Sequence, residues 1–83
     1  SIDYYDYYKN KFNLIDLKDE LIAFRKRRSL EKKIPAYYVF SNDELERILK
    51  FKPQNIRELN GLISEIKIRS HGKEIIKIIN KNN

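Results

Sequence analysis

The sequence contains no cysteine, one histidine, two glycines and two prolines. Without cysteine there is neither a disulfide framework nor a thiolate metal cluster, which permits a reducing interior compartment. One histidine is too few for the usual histidine-based zinc site. So little glycine and proline argues against many short strands and turns. No run approaches the roughly 18 apolar residues of a membrane span, and the acidic, Tyr-rich start lacks a signal peptide's hydrophobic centre.

The 83 residues do contain enough apolar material for one small core, because 41% of them are hydrophobic. Thirteen isoleucines and eight leucines stand against a single valine, a composition that fits helices better than a sheet. The length allows one domain. We predict an all-α, compact bundle of about five short helices. Residues 1–13 form a Tyr-rich extension or short helix, 14–80 the domain, and 81–83 a frayed end.

The net charge of +6 is unevenly distributed. Residues 1–24 carry three basic and five acidic side chains, whereas 25–33 carry six basic and one acidic. Residues 66–83 carry five basic side chains against one acid. Concentrated positive charge attracts polyanions better than the same charge dispersed, so nucleic acid is a candidate partner.

The Tyr-rich start permits two interpretations. Ile2, Tyr5, Tyr8 and Phe12 are spaced by three, three and four residues, which suits a short helix that lays one face on the domain. A partly docked linker tail explains the same composition. Tyrosine clusters also stack on bases, although Asp3 and Asp6 would repel phosphate.

The first long helix is indicated by one apolar face, formed by Leu14, Leu17, Leu21 and Phe24. Acidic side chains are favourable at the positive N-terminal end of a helix, and Asp16, Asp19 and Glu20 lie close together here. We therefore predict that this helix begins near Asp16 and ends near Lys32. Arg28 falls on the apolar face and has to extend its guanidinium to the edge. The surrounding basic residues form either a solvated helix end or an anion-binding patch.

Residues 34–40 follow as an extended apolar connector. Pro35 ends the preceding helix, and Ile34, Val39 and Phe40 are expected in the core. Ser41 and Glu44 then form a capping box that starts the next helix, and Asn55 with Glu58 repeats the pattern before a short third helix.

A final helix is predicted from near Ser64 or Glu65. Its apolar stripe includes Gly72, which costs helix propensity and therefore indicates a close approach of another helix. Basic residues recur every four positions on the other side, at Arg69, Lys73, Lys77 and Lys81.

The segment from Ile34 to Leu45, IPAYYVFSNDEL, together with Phe24-Arg25-Lys26 upstream, resembles the HRDC domain, an accessory module of RecQ-type helicases and RNase D-like exonucleases. The resemblance covers about Leu14 to Ile79. It implies a helical bundle without a catalytic centre that assists a neighbouring motor or nuclease by weak nucleic-acid binding, although some members contact protein instead.

Two departures from the family pattern affect the expected site. The family's Gly-x-Gly turn is absent around Gly61, and His71 replaces an aromatic residue in what we interpret as a packing role. Arg28 stands where the family usually has an apolar residue, which either enlarges the basic patch or loosens the core. The resemblance places Tyr37 on the candidate surface, with Tyr38 in the core.

Our hypothesis is a non-catalytic accessory domain of a RecQ-like helicase or related DNA-processing protein, which binds DNA weakly, preferably single-stranded or partly unwound. The candidate contacts are Arg25, Lys26, Arg28, Lys32, Lys33, Tyr37, Arg69, Lys73 and Lys77. We expect no metal, no cofactor, no membrane contact, a cytoplasmic or nucleoid location, and a monomer beside its parent helicase or nuclease core. The alternative is a protein-interaction module that docks on the parent enzyme without touching nucleic acid.

Overall fold

Four α-helices and one 3₁₀ turn make up residues 3–83, the part of the chain described by the computed structural model. The elements are α1 (Tyr4–Lys32), α2 (Ala36–Val39), α3 (Asn42–Phe51), the 3₁₀ turn (Ile56–Leu59) and α4 (Glu65–Lys81). No strand occurs among these residues. The predicted all-α bundle of about five helical pieces is therefore confirmed.

The first helix is longer than predicted, because α1 runs without interruption through the Tyr-rich segment. Its N-cap is Asp3, whose carboxylate accepts hydrogen bonds from the backbone N–H groups of Tyr5 and Asp6 at 3.0 and 3.4 Å. The predicted start near Asp16 is wrong. Neither docked interpretation of the start holds, since the rings of residues 4–12 are exposed; Ile2, part of that prediction, lies outside the described residues.

We predicted an extended connector after α1, but part of this segment is helical. Lys33 ends α1 in the left-handed conformation at φ 57°, Pro35 caps the next element, and residues 36–39 form the single turn α2. Val39 and Phe40 are fully buried, and Ile34 packs against the core, as expected. Tyr37 and Tyr38 lie within this helical turn, and both rings are exposed.

Both predicted caps are present around α3 and the 3₁₀ turn. Ser41 and Glu44 form a complete capping box, with hydrogen bonds of 2.8 and 3.1 Å. Asn55 accepts from the backbone N–H of Glu58 at 3.0 Å, while the Glu58 carboxylate accepts instead from the N–H of Gln54 at 2.7 Å. Local side-chain chemistry therefore determines where these helical segments begin.

The core lies between α1 and α4, and α2, α3 and the 3₁₀ turn close it. Its α1 contribution is Leu17, Leu21 and Phe24; the predicted fourth member, Leu14, is exposed. On α4 the predicted stripe is buried, and a Cβ on Gly72 would lie 3.1 Å from Ile56 Cδ1. The element that approaches Gly72 is thus the 3₁₀ turn.

Helices α1 and α4 run antiparallel along one side of the bundle. Near the end of α4, the Lys81 ammonium lies 2.7 Å from the Glu20 carboxylate, and Asn82 also donates to that carboxylate. Two turns along α1, Arg28 reaches the backbone of Ser70. This pairing determines which predicted basic residues meet acids.

Candidate nucleic-acid interface

Arg28 is enclosed by partners from α4, and 13% of its side chain is exposed. Its guanidinium lies 3.1 Å from the Glu74 carboxylate, donates to the Ser70 carbonyl at 3.3 Å and lies 5.1 Å from the centre of the Phe24 ring. Most of its hydrogen-bonding capacity is therefore used within the fold. A phosphate at Arg28, one of the predicted contacts, would have to compete with these internal partners.

His71 completes this network as a buried neutral base. Arg28 Nη1 lies 3.1 Å from His71 Nδ1. Because a guanidinium only donates, this nitrogen has to be the unprotonated acceptor. Burial, followed by the charge of Arg28, lowers the pKa of His71 below its ordinary value, although Glu74 opposes this. The expected packing role of His71 agrees with this environment.

Arg25 also turns inward, toward α2. It donates to the carbonyl of Phe40 at 3.1 Å, and its guanidinium carbon lies 5.2 Å from the centre of the Phe40 ring. This contact fastens the end of α2 to α1. Like Arg28, it has a structural role that was not predicted.

A second internal ion pair joins α3 to α4. Lys67 Nζ lies 2.6 Å from Glu44 Oε1, and the two side chains are 20% and 8% exposed. Burial raises the pKa of Glu44, but the bonds from Lys67 and from the N–H groups of Ser41 and Ser64 outweigh it, so this pKa lies below the ordinary value. Glu44 therefore serves both capping and ion pairing.

The groove between α1 and α4 has mixed charge. It is lined by Glu20, Phe24, Arg27, Glu74, Lys77, Ile78 and Lys81. Arg27 lies 3.8 Å from Glu31, within α1. Lys77, a predicted contact, thus shares the groove with the carboxylates of Glu20 and Glu74. A phosphate bound there would be attracted by the basic side chains and repelled by these two acids.

A different arrangement occurs at the corner where α1 meets α2. Lys32, Lys33, Tyr37 and Tyr38, which we call the corner patch, are all exposed. Within residues 3–83, no carboxylate lies in ion-pair distance of either lysine. The two rings are 59% and 53% exposed and meet edge to face, with centres 5.0 Å apart. Unpaired cations beside exposed rings are suited to single-stranded nucleic acid.

The HRDC domain family model matches residues 16–79 of this chain. The chain belongs to the HRDC domain family. HRDC domains are in general accessory or nucleic-acid-binding domains without catalytic activity. No curated protein and no solved structure matches the chain significantly.

The HRDC match begins at residue 16, so the Tyr-rich first turns of α1, residues 4–13, lie outside it. The corner patch lies inside the match, and its two tyrosines lie on the segment from Ile34 to Leu45 that carries the family resemblance. Among residues 3–83, no group of three or more His, Asp or Glu side chains is placed to hold a metal. Over the same range, no helix has the length and apolarity needed to cross a bilayer.

The remaining predicted contacts of this HRDC domain do not all face one way. Lys26 is exposed on the side of α1 opposite the core. Arg69, Lys73 and Lys77 are exposed on α4, and each step of four residues rotates the stripe by ~40° around that helix. They therefore wind from the α1 groove toward the 3₁₀ turn instead of joining Lys26 in one strip.

Tyr38 is a candidate contact that the sequence interpretation placed in the core. The family resemblance placed Tyr37 on the surface and assigned Tyr38 to the core together with Val39 and Phe40. In one helical turn neighbours are ~100° apart, so both rings can be exposed. Pro35 is the signal that could have indicated a helical turn, because proline is common at the beginning of a helical segment.

Proposed function

We propose that this HRDC domain is the non-catalytic accessory domain of a RecQ-like helicase or related DNA-processing protein, and that it binds DNA through the corner patch. The observation that carries the proposal is the pair of exposed tyrosines that follow, within six positions along the chain, two exposed lysines with no carboxylate partner among residues 3–83. Membership of the HRDC family supports it, because domains of this family are in general nucleic-acid-binding or accessory domains.

The two residue types in the corner patch have complementary tasks. Lys32 and Lys33 neutralise phosphates and release counterions, so binding weakens as the salt concentration rises. Tyr37 and Tyr38 stack on bases, each stacked base contributing ~1–3 kcal/mol. Stacking requires unpaired bases, which makes single-stranded or partly unwound DNA the preferred ligand.

A patch with two lysines supports only weak binding, in the range of roughly 10⁻⁴–10⁻⁶ M at physiological salt. Arg69 and Lys73 contribute at longer range, since their exposed charges attract the strand toward the domain. Weak binding suits an accessory role, because the parent's catalytic core would hold the same strand and raise its effective concentration.

The test compares two lysines in the same backbone environment. Lys33 and Lys52 are both exposed, and both end a helix in the left-handed conformation, at φ 57° and 44°. We expect Lys33→Gln to weaken binding of a fluorescein-labelled oligothymidine several-fold, with a salt slope reduced by ~0.7. Lys52→Gln should leave both unchanged. Tyr37→Ala should weaken single-stranded binding more than duplex binding.

Amide chemical shifts locate the contact independently of affinity. Titration with the oligothymidine should move the amides of residues 30–40 first, and those of residues 69–77 less. Equal losses of affinity for Lys33→Gln and Lys52→Gln would show attraction to net charge alone and contradict the proposed site. Unchanged amide shifts at millimolar oligonucleotide would reject DNA binding and favour the protein-docking alternative.

A further inference from the structure

The outer face of α1 carries a heptad repeat that the bundle does not use. Spacings of three and four residues alternate without a break along its positions, which are Tyr5, Tyr8, Phe12, Ile15, Asp19, Ile22 and Lys26. We call these seven residues the outer stripe. All of them are exposed, including the three rings at 50–74%. An alternating three-four pattern over three heptads is typical of a helix that packs against another helix.

The outer stripe faces away from the bundle. Ile15 and Leu17 are separated by ~200° around the helix, as are Ile22 and Phe24. Leu17 and Phe24 are buried in the core, while Ile15 and Ile22 are 46% and 38% exposed. On one side Ile15 borders a cleft shared with Glu46 and Leu49 of α3, so a second helix has to approach the stripe from the side away from α3.

The charges in the stripe indicate what covers it. In a parallel pair of identical stripes, Asp19 would face Asp19 and Lys26 would face Lys26, with like charges in contact. In an antiparallel pair centred between residues 13 and 14, Phe12 faces Ile15 and Tyr5 faces Ile22. Tyr8 then faces Asp19, and its hydroxyl can donate to that carboxylate.

The flanking charges of the antiparallel register include one attractive and one repulsive pair. Lys9 of one copy lies beside Asp16 of the other, and the symmetry repeats this attraction. Lys11 lies beside Lys18 of the other copy, but Lys18 is already paired with Glu46 at 3.2 Å. The exposed apolar surface of two stripes amounts to on the order of 1,000 Å², at the low end for a specific interface.

We infer that the outer stripe binds a second copy of this chain, as an antiparallel pair of α1 helices. This departs from the expected monomer and does not depend on DNA binding by the corner patch. An isologous contact of this kind places the two bundles on opposite sides of the helix pair. The modest area gives a dissociation constant in the micromolar range.

Sedimentation equilibrium of the 83-residue chain, from about 5 to 500 µM, tests the association. Phe12 and Phe51 are matched probes, because they are 61% and 60% exposed and only Phe12 belongs to the stripe. Phe12→Lys should raise the dissociation constant at least about tenfold, and Phe51→Lys should change it less than about twofold. Circular dichroism confirms that both variants remain helical.

Cysteine cross-linking tests the orientation without background, since the native chain has no cysteine. Tyr8→Cys and Asp19→Cys chains are mixed and oxidised in a glutathione buffer. The antiparallel register favours the mixed disulfide over either homodisulfide. A predominance of homodisulfides would show a parallel pair, and equal sensitivity to Phe12→Lys and Phe51→Lys would show a different interface; each overturns the inference. A chain that stays monomeric also overturns it and leaves the stripe to a different protein.

Discussion

The α1–α4 groove and the corner patch are both rich in basic residues in the sequence, yet their charges differ in the folded chain. In the groove, Arg28 meets Glu74 and Lys81 meets Glu20. At the corner, within residues 3–83, Lys32 and Lys33 have no carboxylate partner. The difference arises because the acids that neutralise the groove lie 46 and 61 positions away along the chain from the bases they meet. Positive charge counted along a sequence is thus an upper limit on the charge offered to a ligand.

The largest expected effect comes from breaking the most deeply buried pair. Lys67→Met leaves the Glu44 carboxylate buried with its two backbone donors but without a counter-charge, and should lower the free energy of unfolding by about 3 kcal/mol. Urea denaturation followed by circular dichroism measures it. Lys73→Met is the control, because Lys73 is exposed on the same helix, and should change stability by less than about 0.5 kcal/mol. Equal effects would contradict the distinction between paired and free cations.

A smaller loss of stability is expected for Arg28→Met. The substitution retains an apolar stem over Phe24 but removes the donors to Ser70 and His71 and the partner of Glu74, at a cost of about 1–2 kcal/mol. Because Arg28 is already neutralised, affinity for the oligothymidine should fall less than about twofold, and less than for Lys33→Gln. If Arg28→Met lowers the affinity more than Lys33→Gln does, Arg28 contacts the DNA.

The smallest effect is a dependence on pH from His71. Its pKa is lowered in the folded chain by burial and by the charge of Arg28. The unfolded chain therefore binds a proton more readily, and stability should fall as pH decreases through the ordinary histidine pKa of about 6.5. Urea titrations between pH 7.5 and 5.5 measure this fall. It should disappear in His71→Gln; if it persists there, another group is responsible.

The locally determined features were predictable from the sequence, and the others depended on contacts between distant residues. The Ser41–Glu44 box could be predicted because its members are three residues apart. That Glu44 also accepts from Ser64 and Lys67 could not, since both lie at least 20 positions away. The start of α1 was misplaced because the rings of its Tyr-rich turns are exposed, so these turns show no apolar periodicity toward the core.

The candidate site shows the same limit. Lys32, Lys33 and Tyr37 were predicted from charge and family resemblance, and they are exposed together. Arg28 could be placed on the apolar face of α1 from the sequence, but its partners on α4 could not, and the contact of Arg25 with Phe40 could not either, because both depend on the neighbouring helices. Tyr38 was missed because the family resemblance assigned it to the core, whereas the helical turn Ala36–Val39 leaves its ring exposed.

All six tyrosines of the chain are at least half exposed, and the sequence contains no tryptophan. Intrinsic ultraviolet emission therefore comes from the surface, while the fully buried ring, Phe40, contributes little to it. Melting of the interior would change this emission only slightly. A base stacked on the corner patch would quench the tyrosine fluorescence directly, and pairing of two α1 helices would change it as well. Tyrosine fluorescence therefore reports on both contacts without an added label.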